Sequence, residues 1–337
     1  MFAGILAAIT WALETVIIGF ALSMSPLVNN VGEAIFLAPF ISTFLHDLCS
    51  AIFSWIFNGA RGQLGGVFRA LFKTKSGKWV VIAAIIGGPI GMTGYVLAVT
   101  YMGASIAAIA SAIFPAIGSV LAYIFLKEKM KWYQWVFLLL TILGVYGLSY
   151  STDLAPRNYL LGILGALLCA FGWGIEAVIL AKCLKDPEVT DEYALQIRQT
   201  TSAVVYGAAI HPILGLLGFR EGGLAPWAFT VSLFQGSWKI ILIIAAAGLF
   251  ATVSYLFYYK AISKIGASKA MALNITYTAW AMIFALILSV IVHFTDSSKA
   301  IEYPSILTII CAVVVLVCSI FAAADFKDIL AKRKTAE

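Results

Sequence analysis

The sequence predicts an all-α polytopic membrane protein of ten transmembrane helices, arranged as two inverted five-helix repeats. Three observations carry this expectation. The 337 residues are 62% hydrophobic and only 11% charged, more apolar surface than a soluble domain of this length can hide. Apolar stretches of about 20 residues, the length that crosses the hydrocarbon core, recur ten times. A motif in the first stretch also returns in the sixth: Trp11-Ala12-Leu13-Glu14 and Trp173-Gly174-Ile175-Glu176 stand 162 positions apart. Each motif places an indole and a carboxylate on one helix face at i, i+3.

The expected spans are 2–24, 33–57, 79–101, 104–126, 132–151, 158–181, 192–217, 239–262, 268–293 and 304–324. Short polar connectors containing Gly, Pro, Asn or Lys separate them. The first is read as a span and not as a cleaved leader, because it lacks a basic start and is long enough to cross. Gly87-Gly88-Pro89 predicts a kink in the third span and Pro115 one in the fourth. The fourth also carries a face of small residues, Ala107, Ala108, Ala110, Ser111 and Ala112, suited to close helix approach. Between Arg61 and Lys75, Leu64, Val67, Phe68, Leu71 and Phe72 form one stripe with Arg69 and Lys73 off it. That pattern predicts an amphipathic helix lying on the cytoplasmic leaflet. Pro226, Trp227, Phe229 and Phe234 are expected in the opposite interface as an aromatic belt.

Lys and Arg set the orientation. The connectors after even-numbered spans, with the C-terminus, hold 17 of them against 4 in the opposite connectors, and Arg198 falls inside a span. Both termini are therefore expected to be cytoplasmic, in a multi-pass protein of the plasma membrane. The same asymmetry accounts for the net charge of +6 without any nucleic-acid partner. The five cysteines form no Cys-x-x-Cys pair and neighbour no His at ligand spacing. They read as small buried hydrophobes, with no metal site and no cofactor.

The internal repeat extends beyond its opening motif. Tyr95, Ala98 and Gly103-Ala104-Ser105 align with Tyr258, Ala261 and Gly266-Ala267-Ser268 at an offset of 163. The chain reads as one transporter domain over 1–337, with repeat one at 1–152, repeat two at 157–326 and a short cytoplasmic tail at 327–337. Five is an odd number of crossings, so the second copy must run inverted. Such repeats place a binding site near the midplane and alternate access around it.

The ionisable residues expected inside the membrane are Glu14, His46, Asp47, Glu176 and Arg198. An intramembrane carboxylate is costly, and it marks function by default. Three acids against one Arg favour a cationic substrate over sugar phosphates or nucleotides, which need clustered Lys or Arg. A structural ion pair of Arg198 with Asp47 or a Glu is the alternative for those residues. One Arg still cannot neutralise three acids. At least one carboxylate must be protonated, solvated or paired with something that comes and goes. Glu14 and Glu176 are reasonable proton carriers, with His46 as a relay or as a satisfied structural residue. Trp11, Tyr95, Trp173, Tyr255, Tyr258, Tyr277 and Trp280 share faces or repeat positions with the acids. Aromatic faces of this kind attract quaternary ammonium by about 0.5–2 kcal/mol per ring.

Ten helices in paired EamA-type halves resemble the drug/metabolite transporter superfamily. At particular strings the sequence resembles the bacterial LicB-type choline permeases: LHDLCSAIF, GGPIGMTGYVLAVTYMGASIAAIASAIFPAIGSVLAYIFLK, ALQIRQTTSAVVYG, VSYLFYYKAI and LNITYTAWAMIFAL. FGWGIEAV in the sixth span fits the same pattern. The resemblance implies uptake of choline, coupled to protons, through an aromatic-lined central pocket. Carried over by position, it points to Trp11, Glu176, Tyr255, Tyr258, Tyr277 and Trp280, with Trp173 beside them. Glu14 and Tyr95 are not carried over, and the connector from Asn58 to Gly77 is long for the group. The expected function is secondary transport, importing choline or a related quaternary ammonium cation by alternating access.

The alternative within transport is export of amino acids, drugs or other small metabolites, as in many relatives. ATP hydrolysis is not expected, because no Gly-x-x-x-x-Gly-Lys-Ser/Thr loop is present. A membrane enzyme would need an acid/base or metal cluster near one face, whereas His46, His211 and His293 lie in separate spans. A receptor would bind ligand but move nothing across a sealed membrane.

Overall fold

In the computed structural model the described residues are 1–27, 34–102, 112–149 and 158–325. Among them every regular element is helical. The chain runs through α1 (Phe2–Leu22), α2 (Ala34–Ala60), α3 (Leu64–Lys73), α4 (Lys75–Ile85) and α5 (Gly91–Met102). It continues through α6 (Phe114–Leu126), α7 (Trp132–Leu148), α8 (Tyr159–Cys183), α9 (Asp191–Val205) and α10 (His211–Leu216). The last elements are α11 (Pro226–Gly236), α12 (Trp238–Ile265), α13 (Ala267–Asn274), α14 (Tyr277–Thr295) and α15 (Ile306–Ala323).

Among the described residues seven helical stretches are long and apolar enough to cross a membrane, the pattern of a multi-pass membrane protein. Three expected spans fall short of that standard for identifiable reasons. Helices α6 and α7, at 13 and 17 residues, are short within the described residues. The stretch containing α9 and α10 carries Asp191, Glu192, Gln196, Arg198 and Gln199, too many polar groups for an apolar span.

Helix irregularities follow local chemistry. Gly87-Gly88-Pro89 sits inside a π turn, Ile86–Ile90, which joins α4 to α5. Pro lacks an N–H and frees a carbonyl one turn back, and an inserted residue accommodates this. A second π turn, Tyr206–Ile210, precedes His211-Pro212, and the sequence reading did not anticipate it. The first part of the fourth span, 104–111, lies outside the described residues, and Pro115, expected to kink that span, stands in the first turn of α6. There its missing N–H removes no hydrogen bond. The ninth expected span is broken: α13 ends at Asn274, Ile275 and Thr276 turn, and α14 begins at Tyr277. Broken helices survive at membrane depth where they line a cavity inside the protein.

The amphipathic connector is helical, with Val67 and Ala70 buried and Phe68 and Phe72 exposed. The expected aromatic belt needs correcting. Phe229 is buried, and Trp227 donates its indole N–H to the Gly207 carbonyl at 3.1 Å while packing on Phe44. Of the three rings only Phe229 is withdrawn into the core; Trp227, anchored through its N–H, and Phe234 both remain exposed. The Gly266-Ala267-Ser268 turn is read by Glu128, whose carboxylate accepts from Ala267 N and Ser268 N, each at 3.0 Å. Gly266 there has φ +87°, a conformation that favours glycine. Its expected repeat mate, Gly103-Ala104-Ser105, lies outside the described residues, as do Ala107, Ala108, Ala110 and Ser111.

Helix α1 packs along α12, α8 along α5, and α7 along α15, while α2 lies between α12 and α9. Helix α14 packs on α1, and α6 on α8. Apolar residues gather into two main clusters at opposite ends of the bundle. One centres on Ala7, Val80, Leu180, Ile197, Ala261 and Met271, near the Lys- and Arg-rich connectors. The other holds Ala21, Phe40, Phe44, Tyr206, Phe229 and Ile244. Between them lies a layer of polar and aromatic side chains.

Candidate functional site: a charge relay beside an aromatic cage

The polar layer is built on α1, α2, α8 and α9. Helix α1 presents Glu14, α2 presents His46 and Asp47, α8 presents Glu176 and α9 presents Arg198. They meet as one continuous chain. Glu14 Oε1 lies 3.2 Å from His46 Nε2, and His46 Nδ1 donates to Asp47 Oδ1 at 2.9 Å. Asp47 Oδ2 lies 3.5 Å from Arg198 Nη1, and Arg198 Nε donates to Glu176 Oε1 at 3.1 Å. All five are nearly buried, and Arg198 is 1% exposed.

Polar neighbours add further hydrogen bonds. Ser202 donates to Asp47 Oδ2 at 2.5 Å. Arg198 Nη1 donates to Gln199 Oε1 at 2.6 Å, and Gln199 Nε2 donates to Ser50 Oγ at 2.7 Å. The guanidinium carbon also stands 4.4 Å from the centre of the Tyr255 ring, a cation–π contact within the chain itself. A buried charge survives only with such partners.

Against this relay stands a cage of rings. Trp11 is stacked on Tyr277 at 5.4 Å between centroids, lies 5.8 Å from Tyr255 and meets Trp173 edge-on at 6.2 Å. Trp173 stacks on Tyr95 at 5.9 Å and meets Phe114 edge-on at 5.7 Å. The indole of Trp173 is fixed by donating to the Gly87 carbonyl at 3.1 Å, a backbone group in the π turn. Glycine is required at 87 on packing grounds: a β-carbon there would run into the Glu176 carboxylate.

Two voids open between cage and relay. One, of about 150 Å³, is lined by Trp11, Glu14, His46, Asp47, Met92, Tyr95, Trp173, Arg198, Tyr255 and Tyr277, among others. It is smaller than the ~300–1,000 Å³ of drug-sized pockets, which suits a small ion. The second, of about 20 Å³, is lined by Trp11, Phe114, Trp173, Glu176, Ala177, Tyr255, Tyr258 and Asn274. Trp11, Trp173 and Tyr255 line both voids and separate them. A larger concavity, about 450 Å³, is an apolar groove between α2, α9 and α11, lined by no ionisable group.

The structure thus brings together eleven of the twelve residues named from sequence. Trp280 is the exception. It stands on α14 one turn beyond Tyr277, lines neither void, and has a buried indole N–H without a partner among the described residues. Sequence reasoning missed Gln199 and Ser202, although spacing could have found Ser202, which sits one turn from Arg198 on the same face. It also missed Asn274, a lone amide in an apolar stretch, and the packing role of Gly87. No group of three or more His, Cys, Asp or Glu suited to a metal occurs among the described residues.

Comparison with known proteins gives the same direction. Residues 1–150 match the EamA-like transporter family. Over 282 residues the chain is 29% identical to Protein LicB of Haemophilus influenzae (strain ATCC 51907 / DSM 11121 / KW20 / Rd), covering 83% of this chain and 85% of that protein. A solved crystal structure shares the fold with a TM-score of 0.68, at 17% identity and over 96% of each chain.

Proposed function

We propose that this EamA-type membrane transporter, similar to LicB, imports choline or a related quaternary ammonium cation by alternating access, coupled to protons. The chain is a transporter and not an enzyme. The observation that carries the substrate reading is the cage: Trp11, Trp173, Tyr255 and Tyr277 surround a small void whose other wall is acidic. Quaternary ammonium offers no hydrogen-bond donor and a diffuse positive charge, so ring faces and a nearby carboxylate are the groups that recognise it. The resemblance to choline permeases supports the same class.

Charge supports a monovalent guest. Glu14, Asp47 and Glu176 outnumber Arg198, and both nitrogens of His46 face carboxylate oxygens. Only a ring carrying both protons presents an N–H toward each of them. With His46 carrying both, the relay is left with one net negative charge, which a single cation balances. Movement of a proton along Glu14–His46–Asp47 then accompanies loading or release of the cation.

The remaining architecture is read the same way. Ten crossings in two inverted repeats, 1–152 and 157–326, fit the packing. The contact of α1 with α12 is mirrored by that of α8 with α5, that of α14 with α1 by α6 with α8, and that of α2 with α12 by α9 with α4. Cytoplasmic termini in the plasma membrane fit the basic end of the bundle, where Lys131 meets Asp325. Counterflow in proteoliposomes tests the function directly. Labelled choline is expected to accumulate in vesicles preloaded with unlabelled choline, faster when the pH differs across the membrane. No exchange of choline in sealed, correctly inserted vesicles overturns the reading.

A further inference from the structure

We infer that Asn274 reads the uncharged polar end of the transported cation, and that it selects a hydroxyl over both an alkyl group and a carboxylate. This rests on the cation reading of the same site. Asn274 is fully buried at the break between α13 and α14, and it lines the 20 Å³ void beside Glu176. Neither its amide oxygen nor its amide nitrogen has a hydrogen-bond partner among the described residues.

A buried amide that lacks both partners is rare, because each unmet group carries a desolvation penalty of about 1–3 kcal/mol. The void beside it is only large enough for one water-sized group. The guest that meets both amide atoms must therefore donate and accept through a single non-hydrogen atom, and a hydroxyl does so. A methyl group leaves the amide unmet, while a carboxylate has two oxygens and faces Glu176 across the same space. The ammonium end belongs in the larger void, because the rings that bound it, Trp11, Trp173 and Tyr255, also form its border with the smaller one. A hydroxyl one short link from the ammonium spans that border.

The test is isothermal titration of the purified full-length protein with three ligands: choline, ethyltrimethylammonium and glycine betaine. Choline is expected to bind about tenfold more tightly than ethyltrimethylammonium, and betaine more weakly than either. In Asn274→Leu, which keeps side-chain volume, the ratio of choline to ethyltrimethylammonium affinity should fall to about one. Asn274→Ser, which keeps one donor–acceptor group, should restore part of the preference, and it serves if the Leu variant does not fold. Wild-type protein that binds choline and ethyltrimethylammonium equally, or an Asn274 variant that keeps the preference, overturns the inference and leaves the cage reading standing. If wild type binds no quaternary ammonium at all, both fall together.

Discussion

Replacing Gly87 by Ala perturbs the relay without touching any charged group. A β-carbon at 87 comes within 2.7 Å of Glu176 Cβ, and closer still to its carboxylate. The end of a free Glu side chain would simply move. Here Arg198 Nε holds Glu176 Oε1 at 3.1 Å, and Trp173 holds the Gly87 carbonyl at 3.1 Å. Two effects compete. Alanine is favoured over glycine in helical backbone by about 0.5–1 kcal/mol, whereas overpacking costs about 1–3 kcal/mol. The steric cost is the larger, leaving a net loss of about 0–2.5 kcal/mol. If Glu176 yields instead, a charged hydrogen bond worth about 1.5–3 kcal/mol is lost. The assay is thermal unfolding of detergent-solubilised protein together with choline titration, first in wild type and then in a Glu176→Ala background. Gly87→Ala should lower the melting temperature by several degrees and weaken binding in the first, and lower the melting temperature by less in the second, where the carboxylate is gone and only the β-carbon at 176 still crowds position 87. Equal melting and equal affinity for Gly87→Ala and wild type would refute the packing of α8 against the π turn.

Three other outcomes are expected. Trp11→Ala removes the ring that Trp173, Tyr255 and Tyr277 share, so choline affinity should fall about tenfold in titration; a change below twofold removes Trp11 from the cage. Glu14→Gln leaves His46 Nε2 without an anionic partner, so the pH profile of choline exchange in proteoliposomes should flatten, and an unaltered profile counts against its proton role. Phe68→Asp with Phe72→Asp should free α3 from the bilayer surface and speed proteolysis of the 61–75 connector in vesicles, whereas cleavage at the wild-type rate argues that α3 is held by protein contacts alone.

Much of this molecule is legible in residue types. Hydrophobic length located the helices, and a carboxylate in an apolar helix is conspicuous because the bilayer offers it no water. Glu14, Asp47, Glu176 and Arg198 were therefore visible individually. What spacing along one helix cannot reveal is which residues face each other across helices. The order of the relay, with His46 between two acids and Arg198 between Asp47 and Glu176, required α1, α2, α8 and α9 to be packed. Aromatic composition misled slightly for the same reason. Trp280 shares a helical face with Tyr277 at i, i+3, yet it lines neither void, because the start of α14 at Tyr277 sets which ring enters the cage.

By itself the amino-acid order determined that this chain is rich in membrane-crossing helices, that a Trp-x-x-Glu motif returns 162 positions on, and that anionic groups and rings would be buried in its interior. Those properties depend on the free energy of each residue in hydrocarbon, a quantity local to the residue. Tertiary structure decided the rest: the closed relay, the two voids sharing three rings, the unmet amide of Asn274 and the obligatory absence of a side chain at Gly87. Each is a distance between segments remote in the chain, and only packing sets such distances.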